Sequence, residues 1–245
     1  MRLLNDIKTN GAMQMAIDEA ILTNCIKNKI PCLRFFEWEP SCVTIGFFQA
    51  IKKEVDLEKA KSEGIDVVRR YTGGGAVFHD KELTYSIFLP EEMVGRDILD
   101  SYDLICGGII KGFEKLGIKA EFKAINDIIV NGKKISGNAQ TRRNNWVLQH
   151  GTILLDVDVE KMFSLLKVPD EKIRDKIIQV VKERVTSIRH EGYNFSFKDI
   201  KEALVFGFSE LFGEFEQSLL TKEEVELSDK LVKEKYSTNE WNFKR

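Results

Sequence analysis

Cysteine is scarce in this chain and is not grouped. Cys25, Cys32, Cys42 and Cys106 form no Cys-x-x-Cys pair and have no histidine at metal-ligand spacing, which argues against a zinc site. Nothing suggests a disulfide framework, which fits a reducing compartment, and buried, inert thiols are the default for all four. Proline is also rare. Four prolines in 245 residues leave little room for long disordered linkers. There are only three histidines, His79, His150 and His190. No serine lies in a nucleophile-elbow pattern, which argues against a hydrolase triad. Charge of neither sign dominates. A net charge of −2 supplies no bulk attraction to nucleic acid or to an anionic membrane. No apolar run approaches the length of a membrane helix, and the opening Met-Arg-Leu-Leu-Asn-Asp has no apolar signal core. The expectation is a cytoplasmic protein that binds neither nucleic acid nor membrane.

What is present is concentrated between Arg69 and Asp80, which read Arg-Arg-Tyr-Thr-Gly-Gly-Gly-Ala-Val-Phe-His-Asp. A tight turn needs one or two residues at positive φ, so two glycines suffice. A third suggests backbone that comes close to something or holds a rare conformation. Two arginines beside exposed N–H groups make a receptor for a phosphate or carboxylate. The alternative is a Gly-rich hairpin with solvated arginines.

The spacing predicts a helix over Ala12–Lys27, strands over Cys32–Trp38 and Cys42–Phe47, and a helix over Val55–Glu63. A strand over Ile65–Arg70 feeds the glycines and another, Ala76–His79, leaves them. Leu83–Leu89 is a β-rich run closed by Pro90, and Asp97–Leu116 is a helix stopped by Gly117. Strands follow over Ala120–Phe122, Asp127–Val130, Lys133–Ala139 and Trp146–Leu155, with Asn131-Gly132 as a hairpin signal. Helices over Val159–Leu166, Asp170–Lys182, Lys198–Phe212 and Lys222–Tyr236 fill the remainder. The chain therefore reads as one α+β domain, residues 1–245, strand-rich to about residue 158 and helical from 159 to 245.

Within the hairpin, strand alternation places Lys134, Ser136 and Asn138 on one face and Ile135 and Gly137 on the other. A lysine among small polar neighbours resembles a ligand-facing strand; the alternative is an exposed hairpin with solvated lysines. Asn126-Asp127 supplies an amide and a carboxylate that hold a metal ion or ribose, or merely close a turn. His79 and His150 each have a structural reading as well as a chemical one.

Together these segments resemble the lipoate–protein ligases and their relatives, the protein octanoyltransferases and biotin–protein ligases. The likeness rests on residues 69–80, Asn126-Asp127, Gly132-Lys133-Lys134-Ile135-Ser136-Gly137-Asn138-Ala139-Gln140 and His150-Gly151-Thr152, with Arg184-Val185-Thr186 as a weaker match. It implies a mixed, mostly antiparallel sheet packed by helices. It implies ATP, Mg²⁺ and lipoate as reactants, a lipoyl-AMP intermediate, and transfer to a lysine on lipoyl domains of 2-oxoacid dehydrogenases and the glycine-cleavage carrier protein. By the same resemblance Lys134 is the catalytic lysine, bridging carboxyl oxygen and α-phosphate. Arg70, Gly73, Gly74, Gly75, Ala76, Val77, Phe78, His79, Asn126, Gly137, His150 and Thr152 line the nucleotide or acyl-adenylate, and Asp127 holds Mg²⁺ or ribose. Phe35, Phe47 and Phe48 are open candidates for the acyl tunnel and equally for the core.

A transferase that takes octanoate from acyl carrier protein is the competing expectation. Such relatives form a thioester on a cysteine, which in the bacterial transferases lies between the helix ending near 116 and the Lys-Ile-Ser-Gly hairpin. Here that connection, Ala120 to Asp127, has no cysteine, which favours the ligase. The runs Leu83-Thr84-Tyr85-Ser86 and Leu148-Gln149-His150-Gly151 are more transferase-like. Many ligases also carry an accessory domain that this chain has no room for, so the ligase expectation includes a separate accessory subunit for lipoate activation. A binding protein without catalysis is the third class; intact Lys134, Arg70 and glycine loop argue against it.

Overall fold

A computed structural model describes all residues except Asn5, Asp6, Ile7, Pro169 and Asp170. Its strands are β1 (Arg2–Leu4), β2 (Cys32–Phe36), β3 (Cys42–Ile45), β4 (Asp66–Arg69), β5 (Val77–His79), β6 (Glu82–Pro90), β7 (Glu121–Lys123), β8 (Asp127–Val130), β9 (Lys133–Arg143), β10 (Trp146–Leu154) and β11 (Glu216–Gln217). Its helices are α1 (Gly11–Asn28), α2 (Ile51–Glu54), α3 (Leu57–Ser62), α4 (Glu91–Val94), α5 (Ile98–Lys115), α6 (Val159–Leu165), α7 (Arg174–Arg184), α8 (Phe197–Phe212), α9 (Lys222–Leu231) and α10 (Asn239–Asn242). The fold is α+β. Eight strands form one sheet in the order β11-β1-β2-β6-β10-β9-β8-β7, antiparallel from β2 to β7. Three more form a small sheet in the order β4-β3-β5.

Most elements follow the pattern in the sequence. Helix α1 is capped by Asn10, whose side chain accepts from the Met13 N–H, and ends on left-handed Lys29. Asp97 caps α5 in the same way. Asn131 and Gly132 both have positive φ, 50° and 77°, as a two-residue hairpin turn requires. The helix expected over Val55–Glu63 divides: Val55 is extended and buried, and Asp56 caps the shorter α3. The helix expected from Asp170 is described only from 171 onward, because Asp170 lies outside the described residues; a 3₁₀ turn at Glu171–Ile173 leads into α7.

The large sheet is covered on both faces. On one, α5 and α8 bury Phe35, Tyr85, Ile87, Ile135, Val147 and their neighbours. On the other, α1 packs Ile17, Ile21 and Leu22 against Phe88, Trp146 and Leu148. Along-strand alternation in β6 and β10 therefore serves two cores, and these strands read as nearly continuous buried runs. The last third of the chain is not an appendage. Helix α8 completes the first core, the Glu216–Gln217 strand pairs with β1, and Tyr236 packs with Met15 and Trp38 between α1 and the small sheet. The cleft between the two sheets remains open.

Candidate active site

The strand pair β8–β9 sets the first wall. The register slips between Ile128 and Ile129, so that Ile128 faces Ser136 and Ile129 faces Lys134, leaving Ile135 as an extra residue. Such a bulge resets which side chains share a face. Lys134 therefore lies on the side of Gly137, not with Ser136 and Asn138 as simple alternation predicts. Its stem passes directly over Gly137, where an added Cβ would come within 2.8 Å of the lysine Cε and Nζ. A side chain at position 137 would push the tip of Lys134 aside. The ammonium pairs with the Asp127 carboxylate at 2.6 Å, and the side chain is 40% exposed. Val185 forms an isolated parallel β-bridge with Lys134, and the Thr186 N–H donates to the Lys134 carbonyl at 2.8 Å. The weak Arg184-Val185-Thr186 match thus sits beside the lysine.

The glycine loop forms the opposite wall. Of its three glycines only Gly74 has positive φ, 95°, and the space around Gly73 and Gly75 is open. The two arginines part company. Arg69 is buried away from the cleft and donates to the carbonyls of Gly46, Phe47, Gln49, Trp241 and Asn242 at 2.7–3.0 Å. It locks the C-terminal segment onto β4 and is no anion receptor. Arg70 is on the cleft wall, yet its donors are directed at the protein: Thr72 Oγ1, Thr44 Oγ1 and the carbonyls of Thr44, Gly73 and Gly75. Burial lowers its guanidinium pKa to about 10.

Between these walls lies a cavity of about 330 Å³. Arg70, Gly74, Gly75, Ala76, Val77 and Phe78 line one side; Asn126, Lys134, Gly137 and Thr152 line the other; His79 and His150 form its floor. Gly73 and Asp127 do not line it, and Asp127 acts on it only through Lys134. Asn126 and Asn138 brace each other, the Asn138 Nδ2 donating to the Asn126 carbonyl at 2.9 Å. Apolar surface comes from Met15, Trp38, Leu154, Met162 and Val185; apart from Val185 the sequence does not single these out, because they lie in separate segments of the chain. Phe35 is in the core, and Phe47 and Phe48 pack outside the cleft near Trp241, so none of the three lines it. Among the described residues no group of three or more His, Cys, Asp or Glu side chains is placed to hold a metal ion.

The four cysteines are all described, all buried and all absent from the cavity lining. Burial raises the thiols of Cys32 and Cys106 to about 12, and those of Cys25 and Cys42 well above the usual value. Cys106 lies beneath the floor, 3.8 Å from the Gln149 amide.

The cleft brings Lys134, the glycine loop and apolar side chains to one concave surface, the shape and lining of a small-molecule site. Comparison with known proteins agrees. Residues 10–209 match the lipoyl protein ligase A/B catalytic domain, and the chain belongs to that family. An octanoyltransferase of Brevibacillus brevis is 37% identical over 96% of this chain and 95% of its own length. The structure of a bi-partite lipoate protein ligase from Thermoplasma acidophilum superposes with a TM-score of 0.91, at 36% identity, over 99% of this chain and 95% of the other. A lipoate–protein ligase A structure with bound ATP gives a TM-score of 0.88 at 32% identity, covering 99% and 98%.

These findings bear out the family and the fold, and they overturn the ligase expectation. Curated relatives at 33–38% identity over essentially the whole chain are octanoyltransferases. One fold hosts more than one donor chemistry, so likeness to ligase structures does not select the donor. ATP-dependent activation, and with it ATP, Mg²⁺, lipoate as a reactant and a lipoyl-AMP intermediate, is therefore withdrawn. The accessory subunit was tied to that activation step and loses its reason. The missing cysteine between Ala120 and Asp127 weighed the sequence toward the ligase, but one connection does not outweigh likeness along the whole chain. The Thermoplasma acidophilum ligase is described together with its E2 lipoyl domain. Among the described residues no helix is long and apolar enough to cross a membrane.

Proposed function

We propose that this chain transfers an octanoyl group from the thioester of an acyl carrier protein to the ε-amine of a lysine on a lipoyl domain. The observation that carries it is the whole-chain identity to curated octanoyltransferases. The cleft supports it with an apolar lining for a short acyl chain and Lys134 at its mouth. As the acceptor amine attacks the thioester carbon, negative charge grows on the carbonyl oxygen. A fixed ammonium beside that oxygen lowers the barrier, which is the role proposed for Lys134, oriented by Asp127.

No cysteine is placed to take the acyl group. The transfer is therefore direct: the C–N bond forms, the C–S bond breaks, and the proton lost by the amine ends on the carrier thiolate. Carrier and lipoyl domain then occupy the protein together. The test incubates the chain with octanoylated acyl carrier protein and a lipoyl domain, without nucleotide, and reads the lipoyl domain by mass. The expected result is one octanoyl addition, unaffected by prior treatment with iodoacetamide, with no acyl adduct on the chain. An unmodified lipoyl domain would refute the transferase function. An octanoyl adduct on a cysteine of the chain would refute direct transfer alone.

A further inference from the structure

Arg70 sits between two hydroxyls. Thr44 Oγ1 and Thr72 Oγ1 each accept from its guanidinium at 3.2 Å. Each hydroxyl also meets a histidine Nε2, Thr44 that of His79 at 2.8 Å and Thr72 that of His150 at 2.7 Å. Beyond each ring stands a carboxylate: Glu82 at 2.6 Å from His79 Nδ1, and Asp18 at 3.5 Å from His150 Nδ1. Both chains begin in different elements and end on the same arginine. Every residue in them is buried, none more than 8% exposed.

The proton positions follow from valence. A hydroxyl has one proton, and an arginine can only donate. A threonine that accepts from Arg70 still has a lone pair as well as its proton, so the carboxylates decide: Glu82 and Asp18 only accept, each ring therefore carries a proton at Nδ1, and in the neutral ring Nε2 accepts from the threonine hydroxyl. The outer contacts agree in direction. Trp38 donates to Thr84, and Thr84 donates to Glu82. Ser86 and Arg34 donate to Asp18.

We infer that Thr44 with His79 and Glu82, and Thr72 with His150 and Asp18, are two positioning relays that hold Arg70 on the carbonyls of Gly73 and Gly75, and so shape the glycine loop that binds the acyl donor. The role in donor binding rests on the transferase function proposed above; the proton arrangement does not. Arg70 grips the Gly73 and Gly75 carbonyls at 2.6 and 2.8 Å, and Gly74 to Phe78 line the cleft. A loosened arginine therefore reaches the donor site through the loop backbone. Protonating either ring at Nε2 would reverse its threonine. The hydroxyl would lose its acceptor, and a second cation would stand beside Arg70. Around the two rings the charged groups are Asp18 with Arg34, Glu82, Arg70 and the other histidine.

With only three histidines in the chain, ¹⁵N spectra of the imidazoles test the relays directly. They would be recorded on the full chain and on Thr44→Val and Thr72→Val, with Thr→Ser at each position as the conservative variant. The expected result is a neutral Nδ1–H tautomer at both His79 and His150. Thr44→Val should alter the His79 signals alone, and Thr72→Val those of His150 alone. Each Val variant should raise KM for octanoylated carrier about 10-fold with kcat changed less than about threefold, and Ser should restore both. An Nε2–H tautomer at either ring overturns the inference, and so does an unchanged KM in both Val variants. Where a Val variant does not fold, the wild-type tautomers decide. Correct tautomers in a protein that moves no octanoyl group would refute the transferase function and the donor-binding role while leaving the relays standing.

Discussion

Replacing Lys134 with alanine should lower octanoyl transfer by about 100- to 1,000-fold, the range seen when one preorganised charge stabiliser is removed. The fold should survive. Lys134 is partly exposed, it pairs with Asp127, and its stem lies over the bare Gly137 backbone rather than in the core. Deleting it leaves no cavity in either hydrophobic cluster. The loss should fall on kcat, because the carbonyl oxygen becomes charged only in the transition state. Lys134→Arg should recover little, since a planar guanidinium is a poor substitute for a compact ammonium. Asp127→Asn should cost less than Lys134→Ala, because Asp127 orients the lysine without lining the cleft. Steady-state rates and far-ultraviolet circular dichroism of the three variants check this. Activity of Lys134→Ala within about threefold of the wild type would remove the lysine from the mechanism.

Arg34→Met should give the largest loss of stability. Arg34 and Asp18 are almost wholly buried, with Nη1 and Oδ1 2.5 Å apart. The pair joins α1 to β2 of the large sheet. Burial raises the Asp18 carboxyl, but Arg34, with hydrogen bonds from His150 and Ser86, brings it below the ordinary range. Removing only the arginine leaves a buried carboxylate without its counter-charge, at a cost of about 3–5 kcal/mol. Arg34→Met together with Asp18→Leu should recover part of that, because the apolar pair has no charge to desolvate, while Ser86 and His150 lose the carboxylate that accepts from them. Urea unfolding of the single and double variants reads both numbers. A single-variant loss below about 1 kcal/mol would mean that water reaches the site.

The same cluster sets the response to acid. Burial pushes the His150 imidazole below its ordinary value, with Asp18 opposing. Its unfolded form therefore binds a proton first, and stability falls as pH drops below about 6.5 until the folded ring also titrates. Asp18 contributes stability above the ordinary carboxylate value and loses it as pH falls through its lowered one. Both act in one direction. The urea midpoint should decline on acidification from neutral pH, and His150→Gln should flatten the upper part of that decline.

Much of this protein is local, and what is local was legible. Asn131-Gly132 specifies its turn because both residues must take positive φ, and Asn10 and Asp97 announce helix starts because their side chains replace missing amide partners. The ordered glycine-loop, Lys-Ile-Ser-Gly and His-Gly-Thr motifs named the family. They did not name the acyl donor, because one motif set and one fold serve more than one donor. Only tertiary structure separated Arg69 from Arg70: adjacent in the chain, one is bound to the carbonyls of Trp241 and Asn242, 172 and 173 residues away, and the other shapes the cleft. Only the bulge at Ile135 put Lys134 over Gly137, since register is a property of two strands and not of one. And only packing brought Asp18, Thr44, Thr72, Glu82 and His150 around one guanidinium. The sequence determines which side chains are available to share a proton; the fold decides which of them meet, because hydrogen bonds act over about 3 Å and the chain separates these residues by up to 132 positions.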